Sequence, residues 1–281
     1  PITHSAVVKF QKEYNLVADG IVGFVTWNAL EANIDGENSI SGNVSEHSGF
    51  DEYLMSKGGY HVINGKTKWV PNYYPGPVSK KWYVLHHTAG WDNPYQTIDI
   101  WDKDNKTVGT EWVIGGQHVN NVRKDYDGKV LKAMPSGSFA WHLTIGNNNL
   151  HRESIGVEVC SFGGLTKKNG KYYNYVNTEV HPEQVCDIGY SYRGSRYFHK
   201  LSDNQIESIK QVMLYDQDAY GIDMTKGIPE LIKTKSVKEA FEMYDPAYVA
   251  NNPGLYTHGN VYKHKNDIFP QQELIDMIMS F

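Results

Sequence analysis

Apolar positions along the chain change their period several times, and each change marks an element. Ala6, Val7, Phe10 and Tyr14 recur at helical spacing; a turn follows at Asp19-Gly20, and a second short helix is predicted around Trp27 and Leu30. From Asn33 to about Gly49 the residues are mostly Asn, Ser, Gly, Asp and Glu, the composition of a solvated linker. A Pro-rich approach, Val70 to Pro77, then leads into Trp82-Tyr83-Val84-Leu85-His86-His87-Thr88-Ala89-Gly90. That continuous apolar run predicts a strand buried on both faces, whose carboxyl end delivers imidazoles into a loop where ligands collect in α/β sheets.

Beyond Gly90, Tyr95, Ile98, Ile100 and Trp101 predict a helix, and Val108 to Gly115 a second strand. Asp125-Tyr126-Asp127-Gly128 predicts a hairpin turn into Lys129 to Met134. Ala140-Trp141-His142 precedes a polar loop at 146–149, and Ser154 to Cys160 is a β-branched run carrying one acid, Glu158. Residues 161–200 read as an insertion, with turns near Lys168-Asn169-Gly170 and Arg193-Gly194-Ser195. Its tyrosines, Tyr172, Tyr173 and Tyr175, either line a glycan groove or cover the edge of the domain, and edge cover is preferred. Ser202 caps a long helix that ends at Gly221 and carries Ile206, Ile209, Val212 and Met213 on one face. Further helices are predicted at Val237 to Tyr244 and Gln271 to Met279. Strands alternating with helices give an α/β fold with a mixed central β-sheet flanked by helices. The expected organisation is a small helical module at 1–33, a linker at 34–50 and a main domain at 51–281.

The 281 residues, 40% hydrophobic and 13% aromatic, suffice for one sizeable core and a small accessory module. No apolar run approaches the roughly 18 residues needed to cross a bilayer. Pro1 is followed by no basic and apolar leader, so an export signal is either absent or already removed. A net charge of −5 argues against a nucleic-acid partner. Two cysteines, Cys160 and Cys186, are too few for a disulfide framework, and the sequence leaves open whether they pair. Twelve histidines raise the question of a metal.

A lone histidine at a strand end is more often a satisfied core residue than a ligand, so the case needs partners. Near the end of the chain, Tyr256-Thr257-His258-Gly259-Asn260 is followed by Lys263-His264-Lys265-Asn266-Asp267. His258, His264 and Asp267 put three metal-capable residues within ten positions, and with His86 they can supply a set of two imidazoles and one carboxylate, which leaves zinc a fourth position for water, as catalytic sites do. Scattered surface histidines are the alternative. A carboxylate inside an apolar strand is costly unless paired or functional, which singles out Glu158.

Two resemblances bear on these residues. The series Ala6-Val7, Phe10-Gln11, Leu16, Asp19-Gly20-Ile21-Val22-Gly23, Thr26-Trp27 and Ala29-Leu30 resembles the last two thirds of the peptidoglycan-binding repeat of cell-wall hydrolases, whose first helix would lie before Pro1. From Trp82 to Pro270 the chain resembles the zinc-dependent N-acetylmuramoyl-L-alanine amidases of the amidase-2 type, which share a fold with peptidoglycan recognition proteins. The matching segments, in order, are Leu85 to Gly90, Gly109 to Ile114, Ala140-Trp141-His142, Ser154 to Glu158, and His258 through Lys265-Asn266-Asp267. This resemblance implies zinc held by His86, His258 and Asp267, Glu158 as catalytic acid and base, and Lys265 as the basic residue that stabilises the oxyanion. It implies peptidoglycan as partner and the bond between N-acetylmuramic acid and L-alanine as substrate. Thr88, Trp141 and His142 are expected at the substrate. Glu111, where many relatives have His or Tyr, is either a substrate contact or a second candidate base. His87 and His264 are expected behind the site or on the surface. The insertion at 161–200 departs from the minimal pattern. A non-catalytic peptidoglycan receptor on the same fold, or a structural wall or virion component, are the competing expectations.

Overall fold

A computed structural model describes residues 2–14, 50–63, 65–76, 78–104, 106–145 and 148–281. Helix α1 is Ile2–Glu13, along which Phe10 and Tyr14 stack with ring centroids 4.3 Å apart, an i,i+4 pair on one face. The predicted second helix around Trp27 and Leu30, and the linker up to Gly49, lie outside the described residues.

The chain then runs through β1 (Asp51–Glu52), β2 (Gly58–Ile63), β3 (Lys66–Pro71), β4 (Trp82–His87), α2 (Pro94–Asp104), β5 (Trp112–Ile114), β6 (Val130–Lys132), α3 (Asn148–Arg152) and β7 (Ser154–Val159). Strands β8 (Gly164–Lys168), β9 (Lys171–Tyr173), β10 (Val185–Tyr192) and β11 (Ser195–His199) follow. Last come α4 (Asp203–Tyr220), α5 (Ile228–Thr234), α6 (Val237–Glu242), α7 (Pro246–Asn251), β12 (Gly254–Thr257), α8 (His258–Val261) and α9 (Gln272–Ile278). Among the described residues no helix is long and apolar enough to cross a membrane.

The central sheet has the order β1-β6-β5-β7-β4-β12 and is mixed: β4 lies parallel between β7 and β12, while β5 pairs antiparallel with β6. All six residues of β4 are buried, as the unbroken apolar run requires of a strand covered on both faces. On one face Trp112, Ile114, Val157 and Val159 join Ile206, Ile209, Val212 and Met213 of α4 in the larger core. On the other, Val113 and Leu131 pack with Ile98 of α2, and Trp101 leans on that cluster. The sequence signals for α4 hold in detail: Ser202 and Gln205 form a capping box, and Gly221 closes the helix in the left-handed region at φ 69°.

The predicted strand at Val108 to Gly115 is shorter than its apolar pattern suggests. Gly109 N–H bonds to Trp141 O, and Glu111 O accepts from Ala133 N, so the residues before Trp112 are held by neighbouring loops. The predicted helix to Tyr244 stops at Glu242, and two short helices flank it that the pattern did not mark. Both begin with proline in the first turn, a local start signal too short to show a period.

The insertion forms its own antiparallel sheet, ordered β10-β11-β8-β9. Its two tight hairpins turn on Asn169-Gly170 and Arg193-Gly194, each pair having positive φ, the geometry that matches strand twist. Tyr172 and Tyr197 meet edge to face at 5.0 Å with the Lys167 ammonium over both rings, so this pair packs on the insertion's sheet, whereas Tyr175 is exposed and its hydroxyl donates to Ala89 O at 2.8 Å.

Just before β4, Lys80 is buried, and its ammonium donates to Ser138 O (2.6 Å), Arg152 O (2.9 Å) and Ser154 O (3.2 Å). Three donors meet three acceptors, which joins the 138 loop, the end of α3 and the start of β7 at one point. Lys80→Met should therefore destabilise the chain by about 2–4 kcal/mol in urea denaturation, because those carbonyls lose their donor. A change below about 0.5 kcal/mol would contradict this role.

Candidate metal centre

Register brings the candidate residues together before any side chain is considered. In the parallel ladder His86 is the partner of Glu158, and Leu85 that of Thr257, so His258, the next residue, emerges beside His86. Asn260 holds that bend: its Oδ1 accepts from Thr257 N (2.9 Å) and Thr257 Oγ1 (3.1 Å). The loop after α8 then returns Asp267 to the same point.

His86 Nδ1 lies 3.0 Å from His258 Nδ1 and 3.4 Å from Asp267 Oδ2, and His258 Nδ1 lies 3.1 Å from the same oxygen. All three residues are buried, and among the described residues they form a group of donors able to share one ion. A tetrahedral zinc ion with bonds of about 2.0–2.1 Å needs ligand atoms about 3.3 Å apart, so the triangle fits. The protonation states fit as well. Burial, against the pull of Asp267, pushes His86 down to about 4, which leaves a neutral imidazole. Burial raises the Asp267 carboxyl, but its close contacts with the His258 and His86 rings outweigh it and hold the group well below the usual range, as an anion.

Behind His86 runs a chain of imidazoles. His86 Nε2 is 3.0 Å from His142 Nδ1, His142 Nε2 is 2.8 Å from Ser154 Oγ, and Ser154 Oγ donates to His151 O at 3.4 Å. With His86 Nδ1 free to ligate, each proton in this chain has one consistent direction: His86 Nε2–H to His142, and His142 Nε2–H to Ser154. Such an outer hydrogen bond fixes the tautomer of a ligating histidine. Both ring nitrogens of His142 are thereby engaged in support of His86, while the residue also lines the cavity at the site.

A cavity of about 260 Å³ opens at this point. It is lined by His86, Glu158, His258 and Lys265 together with Trp101, Val108, Gly109, Thr110, Trp141, His142 and Thr144. Glu158 Oε2 is buried without a hydrogen-bond partner, and burial, reinforced by the charge of Asp267, raises its carboxyl from 4.5 to about 8. A buried, unpaired carboxylate beside a donor triangle is costly, and a cation or substrate proton would satisfy it.

Two expected substrate residues do not line the cavity. Thr88 Oγ1 accepts from Gly90 N (3.1 Å) and Ser161 N (3.4 Å), a turn role. Glu111 is buried in a separate polar cluster, where its charge acts on Lys80, Tyr83 and Asp216. Its carboxylate belongs to that cluster, so neither expected role at the site fits it. His87 faces the opposite side of the sheet, where Nδ1 accepts from Ile268 N (3.3 Å), and His264 is exposed. Trp101 was legible only as part of a helix stripe; its second place, in the cavity wall, depends on how α2 packs beside the 108–110 segment. Thr144 carried no signal.

Residues 1–30 match the family model of a peptidoglycan binding domain. No curated protein matches the chain. Solved structures similar to it include a mutant endolysin from Bacillus subtilis, 14% identical, covering 82% of this chain and 97% of that one at a TM-score of 0.38. PlyL is 16% identical, covering 78% and 85% at 0.37. The N-acetylmuramyl-L-alanine amidase AmiD from E. coli, solved with an anhydro-N-acetylmuramic acid peptide, is 21% identical, covering 53% and 46% at 0.33. These likenesses are distant, and the reading of the site rests on its own residues.

The raised carboxyl of Glu158 has a consequence for stability. Its folded pKa lies above its unfolded value, so in the zinc-free chain its contribution is fully present below about 4.5 and is lost as pH rises through about 8. Glu158→Gln removes that dependence. The variant should therefore gain stability relative to the parent between pH 5 and pH 8 in chemical denaturation; a constant difference would show that the carboxyl is not perturbed.

Proposed function

We propose that the chain is a zinc-dependent N-acetylmuramoyl-L-alanine amidase, hydrolysing the amide that joins the lactyl group of N-acetylmuramic acid to the L-alanine of the stem peptide. The observation that carries this reading is the triangle of His86, His258 and Asp267, with edges of 3.0–3.4 Å, beside the unpartnered carboxylate of Glu158. The match of residues 1–30 to a peptidoglycan binding domain supports the choice of polymer. In this reading residues 1–33 anchor, 34–50 link, 51–281 catalyse, and the site of action is the bacterial cell wall.

Zinc in such a set supplies Lewis acidity and a nucleophilic water at neutral pH. The chain's own residues do the rest. Glu158 Oε2 takes a proton from the attacking water and passes one to the leaving alanine nitrogen. Its proton affinity, set by burial near neutrality, suits a group that must both accept and return it, a role worth about 10² to 10⁴ in rate. In this reading the ammonium of Lys265, which lines the same cavity, stabilises the carbonyl oxygen as it gains charge. Trp101 and Trp141, also in the lining, keep bulk water from the scissile amide in this reading. His142 and Ser154 hold His86 in the tautomer that presents Nδ1.

Mass spectrometry of digested peptidoglycan tests the bond directly. Stem peptides with a free L-alanine amine and glycans with intact lactyl carboxylates are expected, and cleavage at any other bond would overturn the assignment. In the same assay Glu158→Gln should retain one zinc per chain yet lose at least about 10²-fold in rate. A variant keeping more than about a tenth of the rate would remove Glu158 from this role. Deleting residues 1–45 should weaken binding to intact walls while sparing cleavage of soluble muropeptides; equal losses in both would contradict an anchoring module.

A further inference from the structure

The hairpin tip of the insertion grips the backbone next to two of the metal donors, His258 and Asp267. Arg193 sits at the turn between β10 and β11 with φ 46°, a conformation that costs any residue with a side chain. Its guanidinium reaches out of the hairpin. Nη2 donates to Gly259 O at 3.0 Å, Glu242 O at 3.2 Å and Phe241 O at 3.3 Å, and Nη1 donates to Lys263 O at 3.2 Å. Gly259 directly follows His258, and Lys263 precedes Lys265 by two positions. The carbonyls of Phe241 and Glu242 belong to the C-terminal end of α6, where backbone acceptors lack helical partners and attract a cation.

The neighbouring Tyr192 does the same for the third donor. Its hydroxyl donates to Ile268 O at 3.2 Å, the carbonyl next to Asp267, and Ile268 itself is held at φ 51°. A separate observation points the same way. His258 Nε2 is buried with no hydrogen-bond partner among the described residues, so this ring lacks the outer bond that orients His86. Its direction must be set through its backbone, and the guanidinium fork is bonded to that backbone. A Cβ at Gly259 would come 3.0 Å from the Arg193 guanidinium carbon, so glycine there is what lets the fork approach.

We propose that Tyr192 and Arg193 are positioning residues: the 161–200 insertion is a clamp that holds His258 and Asp267 in ligating geometry, which makes zinc affinity depend on a hairpin outside the central sheet. The proposal rests on the metal-centre reading above. It is tested on the full chain by titrating zinc against a chromophoric chelator, with the thermal midpoint of the zinc-free protein measured in parallel. Arg193→Lys, which keeps the charge but cannot fork, and Gly259→Ala, which displaces the guanidinium, should each lower zinc affinity about 10- to 100-fold. Tyr192→Phe should lower it by a smaller factor, and Arg193→Ala by at least as much as the lysine variant. A merely structural hairpin would lower the midpoint and leave the affinity of the folded protein alone. Affinities equal to the parent's in Arg193→Lys and Gly259→Ala would overturn the clamp, even if Arg193→Ala fails to fold. A parent chain that binds no zinc would instead overturn the metal centre.

Discussion

Three parallel strands ending at one level impose the constraint from which the site follows. Once β4 pairs with β7 in the register that sets His86 beside Glu158, and with β12 in the register that sets Leu85 beside Thr257, the two imidazoles and the acid have no other place to go. A slip of one residue would turn His86 to the opposite face and put His87 in the cavity. The register is secured by burial: β4 is covered on both faces, and the hydrophobic loss on slipping would involve its whole length. The large core that α4 builds against the sheet is thus also what keeps the donors together.

Assembling such a site without a cation is unfavourable. Two imidazoles and a carboxylate are drawn from water and pressed within 3.0–3.4 Å, and a second carboxyl stands beside them without a partner. The surrounding structure offsets this at several points. The His142 and Ser154 relay fixes one ring, Asn260 locks the bend that carries the other, and the Arg193 fork gathers carbonyls from two segments. Binding of a divalent ion to such a preformed triangle would couple directly to the stability of the fold.

Much of this was legible in the chain. The apolar run into His86, the acid within a β-branched strand at Glu158, and the Gly- and Asn-rich loop carrying His258 and Asp267 all announced their chemistry through residue type and order. So did the capping signals of α4 and both hairpin turns of the insertion. The parts that stayed hidden depend on packing. Thr88 and Glu111 belong to the right motifs but point elsewhere, because a turn claims the first hydroxyl and a buried polar cluster claims the second carboxylate. Trp101 reads as one more apolar helix residue until the 108–110 segment is seen beside it. Short helices such as α5 and α7 span fewer than two full turns, too few for a period to stand out. Arg193 is the clearest case: an arginine in a tight turn looks solvated, and only the tertiary fold brings backbone carbonyls to its fork.

The central claim is that one divalent ion binds between two imidazoles and one carboxylate with a position left open. X-ray absorption at the zinc edge, on the purified chain loaded with one equivalent, reads that directly. The account predicts only nitrogen and oxygen neighbours at about 2.0–2.1 Å, with outer-shell scattering from two imidazole rings. A sulfur neighbour at about 2.3 Å, a shell without imidazole, or zinc spread over several sites would contradict it.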